Sequence, residues 1–410
     1  MFREKCLICK SGGIKKILDF GRHPLADSFI SVENLEKSDI NCSLEVGLCK
    51  KCGCVQLMHD TDPQERYVLN DYSYTSSNSD FSRNHWKEYV KDIAEKFDLQ
   101  GYESIVDIGS NDGFLLKKFS DYGFNGFLTG VDPSAVMASL AKTKYGIDTV
   151  VDLFPFTREI NNTWFSIYGK PYIIIANNVF NHANNPLDFV KEVSHLLDDK
   201  GYFVFELPYW LDSVTNKKFD QVYGEHQTYF TVRSSEYLLN LANLKIVGVE
   251  KIDYHGGSVR IYATKNGDIR INNEKEMFIQ IEEEAGLFSE DTYRDWFEKL
   301  NEQRFKFIKK ICDIKLSGGK IVGIGAAAKG NTFLNFYRLD NTIIDYVTDS
   351  SPQKQGKYTP LTRIPIVGDE ILAQYDEVYA IILSWNISTQ IKKILYKINP
   401  NIKFISPEDC

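Results

Sequence analysis

Apolar and polar positions change period several times along the chain, and each change marks an element. Ser104-Ile-Val-Asp-Ile108 is a short apolar run of strand length, and from Phe114 the chain carries Leu115, Leu116 and Phe119 on one helical face. Further apolar runs at Gly126–Val131, up to Val151-Asp152, at Tyr172–Ala176 and at Tyr202–Phe205 supply four more strands. Strands alternating with helices predict a doubly wound α/β sheet. Between Glu274 and Leu316, Tyr293, Trp296, Phe297, Leu300, Phe307, Ile308, Ile311 and Ile314 recur at helical spacing, which predicts a packing helix that links two domains. Lys320–Gly325 then opens a second strand, Gly-rich turn and helix unit, with Ile343–Val347 and Val378–Leu383 as further strands. The predicted organisation is an N-terminal unit over 1–75, a central Rossmann-like domain over 76–255, and a helical linker with a second Rossmann-like domain over 256–410.

Length and composition agree with that division. At roughly 150 residues per domain, 410 residues make two or three domains, and 43% apolar content is enough for packed cores. The longest apolar runs fall far short of the roughly 20 residues that span a bilayer, which excludes an integral membrane protein. A net charge of −8 without a basic stripe argues against a nucleic-acid partner and for small molecules. Met1–Cys6 lacks the apolar core of a secretory signal, so a cytoplasmic, reducing location is expected, where paired thiols more often hold metal than each other.

The cysteines sharpen the picture. Six of the eight lie between Cys6 and Cys54, in two C-x-x-C knuckles, Cys6-Leu-Ile-Cys9 and Cys49-Lys-Lys-Cys52. Each knuckle brings two thiolates to one tetrahedral ion, so Cys6, Cys9, Cys49 and Cys52 are the expected zinc ligands; four sulfurs leave no open position and make the metal structural. Cys42 and Cys54 stand outside this set, with Cys54 as the alternative to Cys52. The excursion between the knuckles is expected to be short strands and loops.

Candidate chemistry clusters at strand ends, where α/β folds bind ligands. Asp107-Ile-Gly109-Ser-Asn111-Asp-Gly113 departs from a dinucleotide turn by having Asn111 at the second close position, and suits S-adenosylmethionine, which carries charges of both signs but no pyrophosphate. Asp107 could meet its ammonium, Gly109 and Gly113 free the backbone, and Asp132 could accept both ribose hydroxyls. Asn177, Asn178 and His182 follow the fourth strand and should face the same cleft. The run Gln221–Phe230 offers His226 as a general base, Glu225 to orient it or to hold substrate, and the phenol of Tyr223. The hydroxyl-rich stretch with Tyr72, Tyr74 and Ser77 reads as a lid over the cofactor or as a polar linker. In the last domain, Gly325-Ala-Ala-Ala-Lys329-Gly-Asn331-Thr332 lacks the ending of a P-loop, and Asp349 ends the next strand; Lys354 adds positive charge suited to a diphosphate.

Taken together, the knuckles, His23-Pro-Leu-Ala26, Tyr72-Ser-Tyr74, Gly109–Gly113, Asn181-His182, Tyr223-x-Glu225-His226, His255-Gly-Gly-Ser258-x-Arg260 and Gly325–Thr332 resemble the S-adenosylmethionine-dependent sugar C-methyltransferases acting on nucleotide-linked 4-keto-deoxysugars. The resemblance covers nearly the whole chain. It implies an N-terminal zinc unit, a middle domain for S-adenosylmethionine and a C-terminal domain that helps hold the nucleotide sugar. It also implies Tyr223, Glu225, His226 and His182 as the catalytic group, and Tyr74, His255, Ser258, Arg260, Lys329, Asn331 and Lys354 around the acceptor. Gly224 departs from the family pattern, in which a bulkier polar residue is frequent. The implied reaction is removal of a proton beside the ketone and attack of the enolate carbon on the sulfonium methyl. An O- or N-methyltransferase on a nucleotide sugar and a non-catalytic nucleotide-sugar binder are the rival readings.

Overall fold

The computed structural model describes residues 2–67, 75–77, 79–99, 103–156, 169–267 and 269–410. Among these, the N-terminal unit is a long antiparallel hairpin, β1 (Lys15–Pro24) and β2 (Asn41–Leu48), followed by β3 (Val55–Leu57) and the short helix α1 (Pro63–Tyr67). The hairpin is longer than the short strands expected between the knuckles. Its inward residues Leu44, Val46 and Leu48 alternate with half-buried ones, the two-residue period of a sheet with one covered face.

The central domain begins with α2 (Asp80–Phe97), capped by Ser79, whose hydroxyl accepts from the Ser82 amide at 3.1 Å. Trp86, Tyr89, Val90, Ile93 and Phe97 form its buried face. The strands β4 (Ser104–Ile108), β5 (Phe127–Val131), β6 (Asp148–Val150), β7 (Ile173–Ile175) and β8 (Tyr202–Pro208) fall where the apolar runs predict them. Helices α3 (Phe114–Asp121) and α4 (Ala135–Tyr145) follow the first two of these strands. The two-residue strand β9 (Thr228–Tyr229) does not join this sheet.

Two strands were not anticipated. β10 (Lys245–Ile252) and β11 (Ser258–Thr264) pair antiparallel, and β11 inserts between β10 and β8, giving the order β10-β11-β8-β7-β4-β5-β6. The boundary expected at 255/256 therefore falls inside a hairpin, and the central sheet continues to Thr264. The physical reason is that β11 is wholly buried between two neighbours, so detaching it would expose its apolar residues and break two ladders.

The expected linker is two helices, Lys275–Glu284 and Glu290–Leu316; in the second, Tyr293, Trp296, Leu300, Phe307, Ile311 and Ile314 are buried. The last domain is a five-stranded parallel sheet in the order β14-β13-β12-β15-β16, built from β12 (Ile321–Ile324), β13 (Tyr346–Thr348), β14 (Ile366–Val367), β15 (Val378–Ile382) and β16 (Ile402–Phe404). One aromatic cluster joins all three units. Phe20 of β1 stacks on Phe219 at 6.0 Å and meets Phe297 and Phe336 edge-on at 5.4 and 5.7 Å. Among the described residues, no helix is long and apolar enough to cross a membrane.

Candidate active site and zinc site

The four predicted cysteines converge. The sulfurs of Cys6, Cys9, Cys49 and Cys52 all lie within 4.8 Å of one another, with Cys6–Cys52 at 3.5 Å and Cys9–Cys49 at 3.6 Å. A zinc tetrahedron with 2.3 Å arms has edges of about 3.8 Å, so the cluster fits the ion. Cys54 lies outside it, next to the side chain of Gln56.

At the cofactor turn, Gly109 has φ of +74°, and a Cβ there would stand 2.2 Å from Val179 Cγ2. Only glycine satisfies both the conformation and the approach. Asp132, at the end of β5, accepts from the Asn111 amide and the Ser134 amide, each at 2.9 Å, and so ties the turn to the next helix. Ser76 anchors on the same turn: its amide donates to Asn111 Oδ1 and its hydroxyl to Asp112 Oδ1, both at 2.8 Å, while the Ser77 hydroxyl bonds the other Asp112 oxygen. The polar stretch thus lies against the turn at residues 76–77; Tyr72 and Tyr74 lie outside the described residues. Asn177 Oδ1 accepts the Glu206 amide at 2.8 Å. The Asn178 amide donates to the Glu206 carbonyl.

Asp107 is the telling residue. Its side chain is buried and makes no hydrogen bond or ion pair among the described residues. Burial, and then the charge of Asp132, hold its pKa well above the ordinary carboxylate range. An uncompensated carboxyl of this kind is costly unless a cation completes it, and the ammonium and sulfonium of S-adenosylmethionine are such a cation. The residues present fit that cofactor.

Past β7 and β8, three of the four expected catalytic side chains meet. His226 Nδ1 lies 2.9 Å from the Gln221 carbonyl, which can only accept, so Nδ1 carries the proton and Nε2 is the free base. The Tyr223 hydroxyl donates to that Nε2 at 2.6 Å. The His182 ring stands edge-on to His226, 4.7 Å between centroids. Burial pulls the His226 pKa well below 6.5, with the charges of His182, Lys329 and His255 adding to it. His182 falls to about 3 through burial, the Arg66 guanidinium contributing. Both rings are therefore neutral at physiological pH. Tyr223 is half-buried, whereas His226 is buried.

Glu225 does not orient His226. Its Oε1 accepts the Asp27 amide at 3.1 Å, and burial pushes its pKa up to about 7. Neighbours in sequence point apart here, and the His226 ring is held by the Gln221 carbonyl instead. At Gly224 a Cβ would lie 2.6 Å from Cys42 Sγ, so the departure from the family pattern is matched by a packed thiol.

The acceptor residues divide. Lys329 and His255 gather near His226: the Lys329 ammonium donates to the His255 carbonyl at 3.2 Å, and burial lowers its pKa to about 8. Asn331 Nδ2 donates to the Ala26 carbonyl and Lys354 Nζ to the Ala326 carbonyl, both at 2.6 Å. Arg260 is a correction. Its guanidinium is buried on Glu206 and Asp92 at 2.6 Å each and lies over the Tyr89 ring, because β11 sets Arg260 opposite Glu206. The Ser258 hydroxyl is likewise used on the Tyr254 carbonyl at 2.9 Å. Both hold the sheet together rather than facing an acceptor.

The two Gly-rich units named in the sequence also share their hydrogen-bond pattern, which the sequence did not show. Asp349 ends β13 as Asp132 ends β5, and it accepts the Ala326 amide of the second Gly-rich turn at 2.7 Å and the Ser351 amide at 2.8 Å. In both turns the glycine amide, Gly109 or Gly325, donates to the carbonyl just before the aspartate at 2.7 Å.

Three families match in succession: a zinc-binding domain at residues 6–67, a methyltransferase domain at 80–249 and a C-methyltransferase C-terminal domain at 253–407. The C-methyltransferase NovU of Streptomyces niveus is 27% identical over 389 residues, 95% of this chain and 91% of its own. Among solved structures, an S-adenosylmethionine-dependent methyltransferase from Clostridium acetobutylicum is 14% identical over 47% of this chain and 94% of its own, with a TM-score of 0.36. A magnesium protoporphyrin IX methyltransferase from Synechocystis with bound S-adenosylhomocysteine is 14% identical over 45% and 83%, with a TM-score of 0.35.

Proposed function

From the premise that this chain is an S-adenosylmethionine-dependent methyltransferase assembled like the C-methyltransferases, we propose that its acceptor is a nucleotide-linked keto-deoxysugar, methylated on the carbon beside the ketone. The observation that carries this reading is the neutral His226 with its Nε2 lone pair directed at the Tyr223 hydroxyl. A heteroatom acceptor with its own lone pair has less need of a buried base than a C–H does.

In this reading the Tyr223 oxygen takes the proton from the sugar carbon as its own proton passes to His226 Nε2, and His226 becomes the cation. The His182 ring, kept neutral by burial and with its N–H on the Asn178 backbone, packs edge-on against His226 and holds that ring in place. A positioned base contributes about 10²–10⁴-fold. When bound, S-adenosylmethionine supplies the electrophilic methyl group that the enolate carbon takes up. Asp107, Asn177 and Asp132 are the residues that would hold it. The second turn, with Asp349, and the cations Lys329 and Lys354 suit the nucleoside diphosphate.

The test is a screen of nucleoside-diphosphate 4-keto sugars for methyl transfer, with nuclear magnetic resonance of the product, followed by deuterium exchange of the substrate in heavy water. The expected result is a new carbon-bound methyl group and an exchange that His226→Asn and Tyr223→Phe both slow, with cofactor affinity retained. A methyl on oxygen or nitrogen, or wild-type turnover in a folded His226→Asn variant, refutes it.

A further inference from the structure

The segment that bears His226 is built into the zinc unit. β9, two residues after His226, completes the N-terminal sheet in the order β1-β2-β3-β9, with Val55 opposite Tyr229 and Gln56 opposite Thr228. The Leu57 amide donates to the Gln227 carbonyl at 3.0 Å, and Arg3 donates to Gln227 Oε1 at 2.8 Å. Thr61 donates to the Gly224 carbonyl at 2.7 Å. The Gln227 amide also donates to the Asn181 carbonyl at 2.8 Å, one direct tie between the segment and the His182 loop.

The second tie, and the one made by a side chain, is Arg66. It comes from α1, at the end of the zinc unit, and is 4% exposed. Its Nη1 donates to the His182 carbonyl at 2.9 Å and to the Glu225 carbonyl at 3.1 Å, and its Nη2 bonds Asn184 Oδ1. A single nitrogen thus bridges the backbone of one histidine and the residue before the other. Asn184 in turn donates to the Thr61 carbonyl at 2.9 Å, which closes the frame back onto the N-terminal unit. Arg66 has no chemistry of its own at the reacting atoms.

We propose that Arg66 is a positioning residue, whose planar guanidinium sets the spacing and orientation of the His182 and His226 rings and so makes the N-terminal unit part of the catalytic apparatus. This rests on the base reading given above. A lysine offers the charge on one nitrogen without the planar fork, so it cannot hold both carbonyls and the Asn184 side chain in one fixed plane. Displacing reacting groups by about 1 Å can cost about 10²-fold in rate.

The experiment compares Arg66→Ala, Arg66→Lys and His226→Asn, each as the full chain, with thymidine-diphosphate 4-keto-6-deoxyhexose as the probe acceptor. Turnover, KM and S-adenosylmethionine affinity are measured with and without guanidinium chloride at millimolar concentration. Arg66→Ala and Arg66→Lys are expected to lose about 10²-fold in kcat with KM and cofactor affinity little changed. Guanidinium should restore Arg66→Ala by tenfold or more, on the order of the lost alignment, and leave His226→Asn inactive. Wild-type turnover in either Arg66 variant overturns the proposal, as does a loss in folded Arg66→Ala that guanidinium does not relieve. If Arg66→Ala does not fold, Arg66→Lys alone decides by the same kcat criterion. An active His226→Asn removes the base reading itself, whereas inactive His226→Asn beside fully active Arg66 variants removes only the positioning role.

Discussion

Asp107→Asn tests the cofactor site through charge. In the free protein the Asp107 carboxyl is 4% exposed, unpartnered among the described residues and raised in pKa by burial and by Asp132. A ligand cation beside it favours the ionised form and lowers that pKa. The free protein therefore holds a proton that the complex gives up, over the window between the lower bound-state pKa and the raised free-state one. In that window S-adenosylmethionine affinity rises with pH, by up to about tenfold per unit, and it levels off once the free carboxyl is ionised. Asparagine keeps the shape and abolishes the titration. Loss of one charge-assisted hydrogen bond, about 1.5–3 kcal/mol, weakens binding about 13- to 160-fold above the window. Isothermal titration calorimetry in two buffers of different ionisation enthalpy reads the proton release directly. Heats that agree between the buffers for the wild type, or an Asp107→Asn variant that binds as tightly at high pH, would refute the argument.

Two further outcomes follow from the geometry. Arg260→Met leaves the fully buried Glu206 with only His85, 2.7 Å from its other oxygen, and is expected to cost up to about 3–5 kcal/mol of stability, read as a lowered urea midpoint, with acceptor KM unchanged in the folded fraction; an unaltered midpoint with a raised KM would return Arg260 to the acceptor site. Metal analysis should find one zinc per four-cysteine cluster, and Cys49→Ser should lose it together with the about 10–16 kcal/mol that binding contributes in small zinc units, seen as lost solubility; native protein with neither zinc nor iron would contradict the site.

Local pattern carried most of the fold. Five strands of the central sheet and the buried face of Glu290–Leu316 lie where the apolar periods put them, because strand and helix repeats are properties of consecutive residues. β10 and β11 were missed, although the Gly256-Gly257 pair between two β-branched runs is a hairpin signal; His255–Arg260 was read for chemistry instead. The zinc set was legible for a similar reason, since a C-x-x-C knuckle brings two ligands together within one turn.

Which side chain faces which was a different matter. Glu225 and His226 are adjacent, yet one meets Asp27 and the other Tyr223 and Gln221. Arg260 sits in a promising motif and is consumed by Glu206, 54 residues away. Arg66 has no local signal at all, and its partners lie 116, 159 and 118 residues along the chain. The sequence alone determined most of the elements, the metal ligands and the strand-end turns, because backbone period and ligand spacing act over a few residues. Only the tertiary structure decided the partner of each buried polar group, because a group removed from water must be satisfied by whatever packing brings within about 3 Å, however distant in sequence.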